Sequence, residues 1–142
     1  MKTIIDYLIQ NKIYEEEIAG HKIELRLSKK CVVMTVDGDR YLIKRFNEDV
    51  SPDTEIKYIL EENYNTEIRF CEVCGKPFDA GFIAGDGDWY CCEECFEPTM
   101  DKNYGKGKWR GTDEEGEYGG FYEFLGHNGE WQDTGIYWTE WN

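Results

Sequence analysis

Histidine is scarce in this 142-residue chain: His21 and His127 are the only two. Neither stands beside a cysteine or within a Ser-His-Asp pattern, so the usual imidazole base of a hydrolase has no local support. Glycine-rich phosphate-cradling motifs are missing, and Asp86-Gly87-Asp88 is too short for a calcium loop and reads as a turn. Long apolar runs are absent too; no stretch approaches the roughly 18 residues of a membrane span. The opening MKTIIDYLIQNK is interrupted by Asp6 and Gln10 and leads to no small-residue cleavage site, so a signal peptide is not expected and a cytoplasmic protein is.

Positive charge is the other shortage. Lys and Arg number 16 against 30 Asp and Glu, a net charge of -14. Such a surface repels phosphates at long range, so direct nucleic-acid binding is not expected, and it is drawn to basic surfaces, including those that normally hold nucleic acid. Solubility alone is the plain reading of the same charge. The deficit is uneven: residues 1–68 hold 10 basic and 14 acidic residues, and residues 69–142 hold 6 and 16, or net -4 and -10.

Ile4, Ile5, Leu8, Ile9 and Ile13 fall at helical spacing, which predicts a helix over about 2–12 that either continues toward Gly20 or gives way to the first strand. Three strands follow at 21–27, 31–36 and 40–46, the middle one apolar throughout and therefore central, with Asp37-Gly38 as a hairpin turn. Ser51-Pro52-Asp53 then opens a second helix: a capping hydroxyl, a proline suited to the first position and an acid for the positive end. The expected fold is α+β. It comprises an α-β-β-β-α unit over residues 1–66, then a metal-binding module with an acidic, aromatic, β-rich C-terminal extension over 67–142. Residues 102–120 read as loop, and FYEFL (121–125) and GIYWTEW (135–141) as strands.

What the chain does have is cysteine. Six cysteines in a cytosolic protein point to metal or catalysis rather than disulfides. Cys71 and Cys74, two residues apart and followed by Gly75, form a tight turn that aims two thiolates at one ion. Sixteen residues on comes Cys91-Cys92-Glu93-Glu94-Cys95, where the chain enters a helix whose N-terminus favours thiolate charge. Two pairs supply the four soft ligands of a tetrahedral, closed Zn²⁺ site, which leaves no open position for catalysis. The segment between them reads as a hairpin, so knuckle, hairpin and helix make a treble clef. Cys31, in an apolar strand, reads as a plain core cysteine.

Tyr90-Cys91-Cys92-Glu93-Glu94-Cys95 resembles treble-clef zinc fingers of the FCS/TRASH/MYM kind, which read C-x-x-C followed by [FY]-C-S-x-x-C, with Cys92 in place of the serine. Together with Cys74-Gly75-Lys76, Gly81-Phe82, Asp86-Gly87 and Trp138-Thr139-Glu140-Trp141, the segment is similar to small bacteriophage proteins. The resemblance covers about residues 70–96 and the last few residues. It implies a zinc finger and a phage or mobile-element origin, and no activity. Its frame selects Cys91 with Cys95, whereas a plain C-x-x-C selects Cys92 with Cys95; the expected ligands are Cys71, Cys74, Cys91 and Cys95.

Four of five tryptophans lie in residues 99–142, beside glutamates. Aromatic anchors amid carboxylates suit a protein interface with a basic partner, while the alternative is that the rings are core. The expectation is a non-enzymatic, zinc-stabilised acidic protein that occupies a basic nucleic-acid-binding surface, such as that of a host defence nuclease. Glu114, Glu115, Glu117 and Glu123 would supply charge, and Trp131, Trp138 and Trp141 anchors. The alternative is a zinc-finger adaptor of transcription or DNA metabolism touching nucleic acid through Lys29, Lys30, Arg40, Lys44 and Arg45.

Overall fold

The computed structural model describes residues 2–84, 87–111 and 121–142. Glu114, Glu115 and Glu117, and part of the Asp86-Gly87 turn, lie outside them. The described residues form a mixed α+β protein with three helices and antiparallel sheets. They group into two compact units, Met1–Asp79 with Trp141–Asn142, and Ala80–Glu140.

In the first unit α1 (Ile4–Asn11) begins at a capping box: the Thr3 hydroxyl accepts from the Asp6 N–H, and the Thr3 N–H donates to the Asp6 carboxylate at 2.9 Å. That backbone N–H first, and after it the Thr3 hydroxyl, which donates to the same carboxylate at 3.1 Å, hold the Asp6 carboxyl below the usual carboxylate range. The helix stops at Lys12, which turns to φ +70°. There follows a meander of β1 (Ile13–Ile18), β2 (His21–Leu27), β3 (Cys31–Val36) and β4 (Asp39–Lys44), each strand beside its neighbour in sequence. Then comes α2 (Pro52–Tyr64), with the Ser51 hydroxyl accepting from the Thr54 N–H at 3.2 Å.

The sheet thus has four strands, not the three expected from sequence. The extra one, β1, pairs along its whole length with β2, from Ile13 opposite Arg26 to Ile18 opposite His21. Tyr14 and Ile18 are buried on the core face, but Glu16, which shares that face by alternation, is exposed and pairs with Lys76 at 3.4 Å. A glutamate in the middle of the apolar face erases the period-two signal. Ile4 and Leu8 of α1 and Ile56 and Leu60 of α2 pack with Ile23, Leu25, Val32, Met34 and Ile43 in one buried cluster. Asp37 and Gly38 both take positive φ, +51° and +89°, as a two-residue turn between antiparallel strands favours. A short ladder of β5 (Arg69–Phe70) and β6 (Pro77–Phe78) completes the unit.

The second unit is a five-stranded antiparallel sheet in the order β8-β7-β11-β10-β9, with one helix. Its elements are β7 (Ala80–Ile83), β8 (Trp89–Tyr90), α3 (Glu93–Tyr104), β9 (Trp109–Gly111), β10 (Phe121–Leu125) and β11 (Trp131–Glu140). The stretch read as loop from 102 contains the end of α3 and all of β9, which pairs with β10 from Trp109 opposite Phe124 to Gly111 opposite Tyr122. Three residues with two glycines nearby carry too little pattern to read as a strand. The core is aromatic: Phe96 is fully buried, with the rings of Tyr122, Phe82 and Tyr90 edge-on at 4.9, 5.0 and 5.8 Å.

Candidate metal centre

The first cysteine pair sits in the turn between β5 and β6. The Gly75 N–H donates to the Cys71 carbonyl and the Cys71 N–H to the Lys76 carbonyl, both at 3.0 Å, which closes the loop around Glu72 and Val73. Gly75 has φ +79°, and a methyl group there would lie 2.1 Å from the Thr3 carbonyl oxygen. Only a residue without a side chain allows both the turn and the close passage of the α1 N-terminus. The Lys2 N–H also donates to the Glu72 carbonyl at 3.3 Å, so backbone from the start of the chain braces the knuckle.

The second cluster sits where β8 runs into α3. Cys91 follows Tyr90, Cys92 is the N-cap residue in extended conformation, and Cys95 lies in the first helical turn. Exposed helix-start N–H groups create a positive potential there, which favours thiolate over thiol. Glu93 in the same turn accepts a 2.6 Å hydrogen bond from the Tyr122 hydroxyl. Burial, with that hydrogen bond second, raises the Tyr122 pKa and keeps it a donor.

The sulfur atoms of Cys71, Cys74, Cys91 and Cys95 all lie within 4.8 Å of one another, Cys71 buried and the others half-buried. Four thiols at this spacing can hold a metal ion, and an all-sulfur set suits a thiophilic one. Cys91 and Cys95 have their sulfurs 3.6 Å apart. Cys92 is not in the group of four, yet its sulfur lies 3.7 Å from Cys91 and 3.8 Å from Cys95. Replacing Cys91 by Ser should remove most bound metal, and Cys92→Ser should leave it in place, as measured by elemental analysis of the purified variants. The reverse result would make Cys92 the ligand.

The remaining residues singled out from sequence fall elsewhere. Cys31 is half-buried on the less covered face of β3, opposite Lys44, rather than in the core. Its strand alternates between faces even though its sequence does not. His127 is exposed in the turn between β10 and β11, outside the sulfur group. Glu123 is ion-paired to Arg110 at 2.7 Å, and that guanidinium lies 3.9 Å from the centroid of the Trp131 ring. Trp138 packs edge-on against Phe82 at 5.1 Å, and Trp141 against Phe78 at 5.7 Å with Arg69 also over its ring. All three tryptophans are half-buried, each with part of its surface open to solvent. Sequence reasoning did not single out Arg110, which holds Glu123 and Trp131 together; it lies on β9, whose three residues carry no strand pattern of their own, so no local signal marked it.

Among the described residues, no helix is long and apolar enough to cross a membrane. No protein-family model, curated protein or solved structure matches this chain.

Proposed function

We propose that the chain is a zinc-stabilised acidic binding protein, not an enzyme. In this reading the cysteine centre is a treble clef holding one Zn²⁺, and the acidic unit occupies a basic, nucleic-acid-binding surface on another protein. Four thiolates around an ion with metal–sulfur bonds of about 2.3 Å are about 3.8 Å apart, close to the 3.6 Å between Cys91 and Cys95. The fourth ligand closes the coordination shell, so the ion's part is structural. Zn²⁺ with four thiolates adds about two negative charges relative to free thiols, which increases the acidity of the site.

The observation that carries the binding role is the segregation of charge: residues 80–140 hold 4 basic and 14 acidic residues, net -10. Carboxylates spaced over a folded surface can stand in for phosphates, and half-open tryptophans give a grip that salt does not screen. Glu130 and Glu140 are exposed, and Trp131, Trp138 and Trp141 each present a partly open ring. The phage-type resemblance makes a nuclease of a host defence system the partner class to try first.

Reversing Glu114, Glu115 and Glu117 to lysine together should lower the association rate about tenfold while changing dissociation little, because long-range charge acts mainly on encounter. The measurement is surface plasmon resonance against the partner recovered from host lysate, at two salt concentrations. An affinity indifferent to both salt and the three glutamates rejects the mimicry reading.

A further inference from the structure

One corner of the first unit runs against the charge of the chain. Residues 28–46 hold five basic residues, Lys29, Lys30, Arg40, Lys44 and Arg45, against Asp37 and Asp39. The Arg45 N–H donates to the Lys30 carbonyl at 3.0 Å, and its guanidinium donates to the Ser28 and Lys29 carbonyls at 3.1 and 3.3 Å. The end of β4 and the β2–β3 turn are thereby locked into one basic corner. Arg40 and Lys44 project from the same outer face of β4, four residues or about 13 Å apart along a strand with an open edge. None of the five makes an ion pair among the described residues.

Beside them stands Phe46, 83% exposed, with the Arg45 guanidinium 5.7 Å from its ring centroid. At this exposure the ring adds little to packing beyond its contact with Arg45, and one of its faces is open to solvent. The same loop leads into a cleft of about 370 Å³ lined by Asn47, Val50, Thr54, Glu55 and Tyr58, and Tyr58 is itself 62% exposed. At ordinary ionic strength a charge acts over about 8–10 Å, so the local cations, rather than the net -14, set the potential at this corner.

We infer that this corner is a binding site for single-stranded nucleic acid: Lys29, Lys30, Lys44 and Arg45 take phosphates, and Phe46 stacks a base. An acidic peptide would satisfy the cations but leave the exposed ring without a partner, and a duplex keeps its bases stacked on one another. A single strand offers both charge and an open π-face at each nucleotide. This site uses residues separate from those of the acidic-surface reading, so either can fail without the other.

The test is fluorescence anisotropy with a labelled twelve-nucleotide oligothymidine and the intact, metal-loaded chain, over a range of salt concentrations. Saturable binding is expected at low salt, with a duplex of equal length bound more weakly. A Lys29→Gln, Lys30→Gln, Lys44→Gln variant should bind at least tenfold more weakly, with a log–log salt slope flattened by about 0.7 per cation removed. Phe46→Ala should also weaken binding about tenfold, but with the slope unchanged, a split that loss of stacking produces and loss of charge does not. All four positions are exposed, and circular dichroism of each variant is expected to match the parent. Absence of binding at low salt overturns the proposal, as does binding that survives both variants. So does lysine-dependent self-association in sedimentation, which would give the corner to the acidic surface of a second copy.

Discussion

Cys74→Ser protein should carry under about a tenth of the metal of the parent chain and lose the folded second cysteine cluster with it. Structural Zn²⁺ in small domains contributes an apparent 10–16 kcal/mol or so, comparable with or larger than the whole stability of a typical domain. The damage should be local in character. The thirteen-residue cluster of the four-stranded unit includes none of the six cysteines, whereas Cys95 packs directly against the aromatic cluster around Phe96. The tryptophan bands of the near-ultraviolet circular dichroism, four of whose five residues lie in the second unit, should therefore largely collapse in Cys74→Ser or after strong chelation, while the tyrosine bands of the first unit and slow-exchanging amides in β2 and β3 persist. Cys31→Ser, away from the sulfur group, is the control and should keep its metal. A parent chain that is metal-free as purified, yet melts cooperatively with all of its near-ultraviolet signal, would falsify the metal-centre reading.

Phe96→Ala is expected to cost the second unit about 3–5 kcal/mol, the range for emptying a buried aromatic site. Phe96 has no exposed surface, and the rings of Phe82, Tyr90, Trp109 and Tyr122 all lie within 6.2 Å of it. Among the described residues the cluster has five buried members, with Phe82, Ala84, Cys95, Tyr104 and Trp109 partly buried against them, a small core in which to absorb the cavity. Denaturant titration followed by tryptophan fluorescence measures the loss, with metal content determined on the same sample because Cys95 is adjacent. A change below about 1 kcal/mol with the metal retained would mean that the ring contacts contribute little and that the ion alone holds the unit.

How much of this was legible in the sequence depended on how local each signal was. The N-terminal cap of α2, the Asp37-Gly38 turn and the cysteine spacings are short-range features, each fixed by the geometry of a few residues, and they could be read directly. Strand β1 could not, because Glu16 on its core face breaks alternation and is accommodated only by Lys76 from a distant part of the chain. Nor could β9, whose three residues acquire meaning only by pairing with β10. The tryptophans looked like candidates for either core or interface, and their half-buried state reflects partners such as Phe82, Phe78 and Arg110 that no window of sequence brings together. At the cysteine centre, spacing left Cys91 and Cys92 both open. The passage of Thr3 over Gly75, some seventy residues apart in sequence, left no trace in the local motif.

The two larger sheets also differ in when they can exist during synthesis. In the β1–β4 meander every strand pairs with its predecessor, so pairing can proceed as the chain leaves the ribosome. The five-stranded sheet has no such freedom, because β11 stands between β7 and β10 and is hydrogen-bonded to both. Until residues 131–140 have been made, β7 lacks the strand that pairs with its outer edge, and Phe82 and Ile83 present that edge unpaired to the cell. A ribosome stalled within the preceding stretch would hold a finished meander beside an unprotected hairpin, the kind of nascent species that chaperones attend.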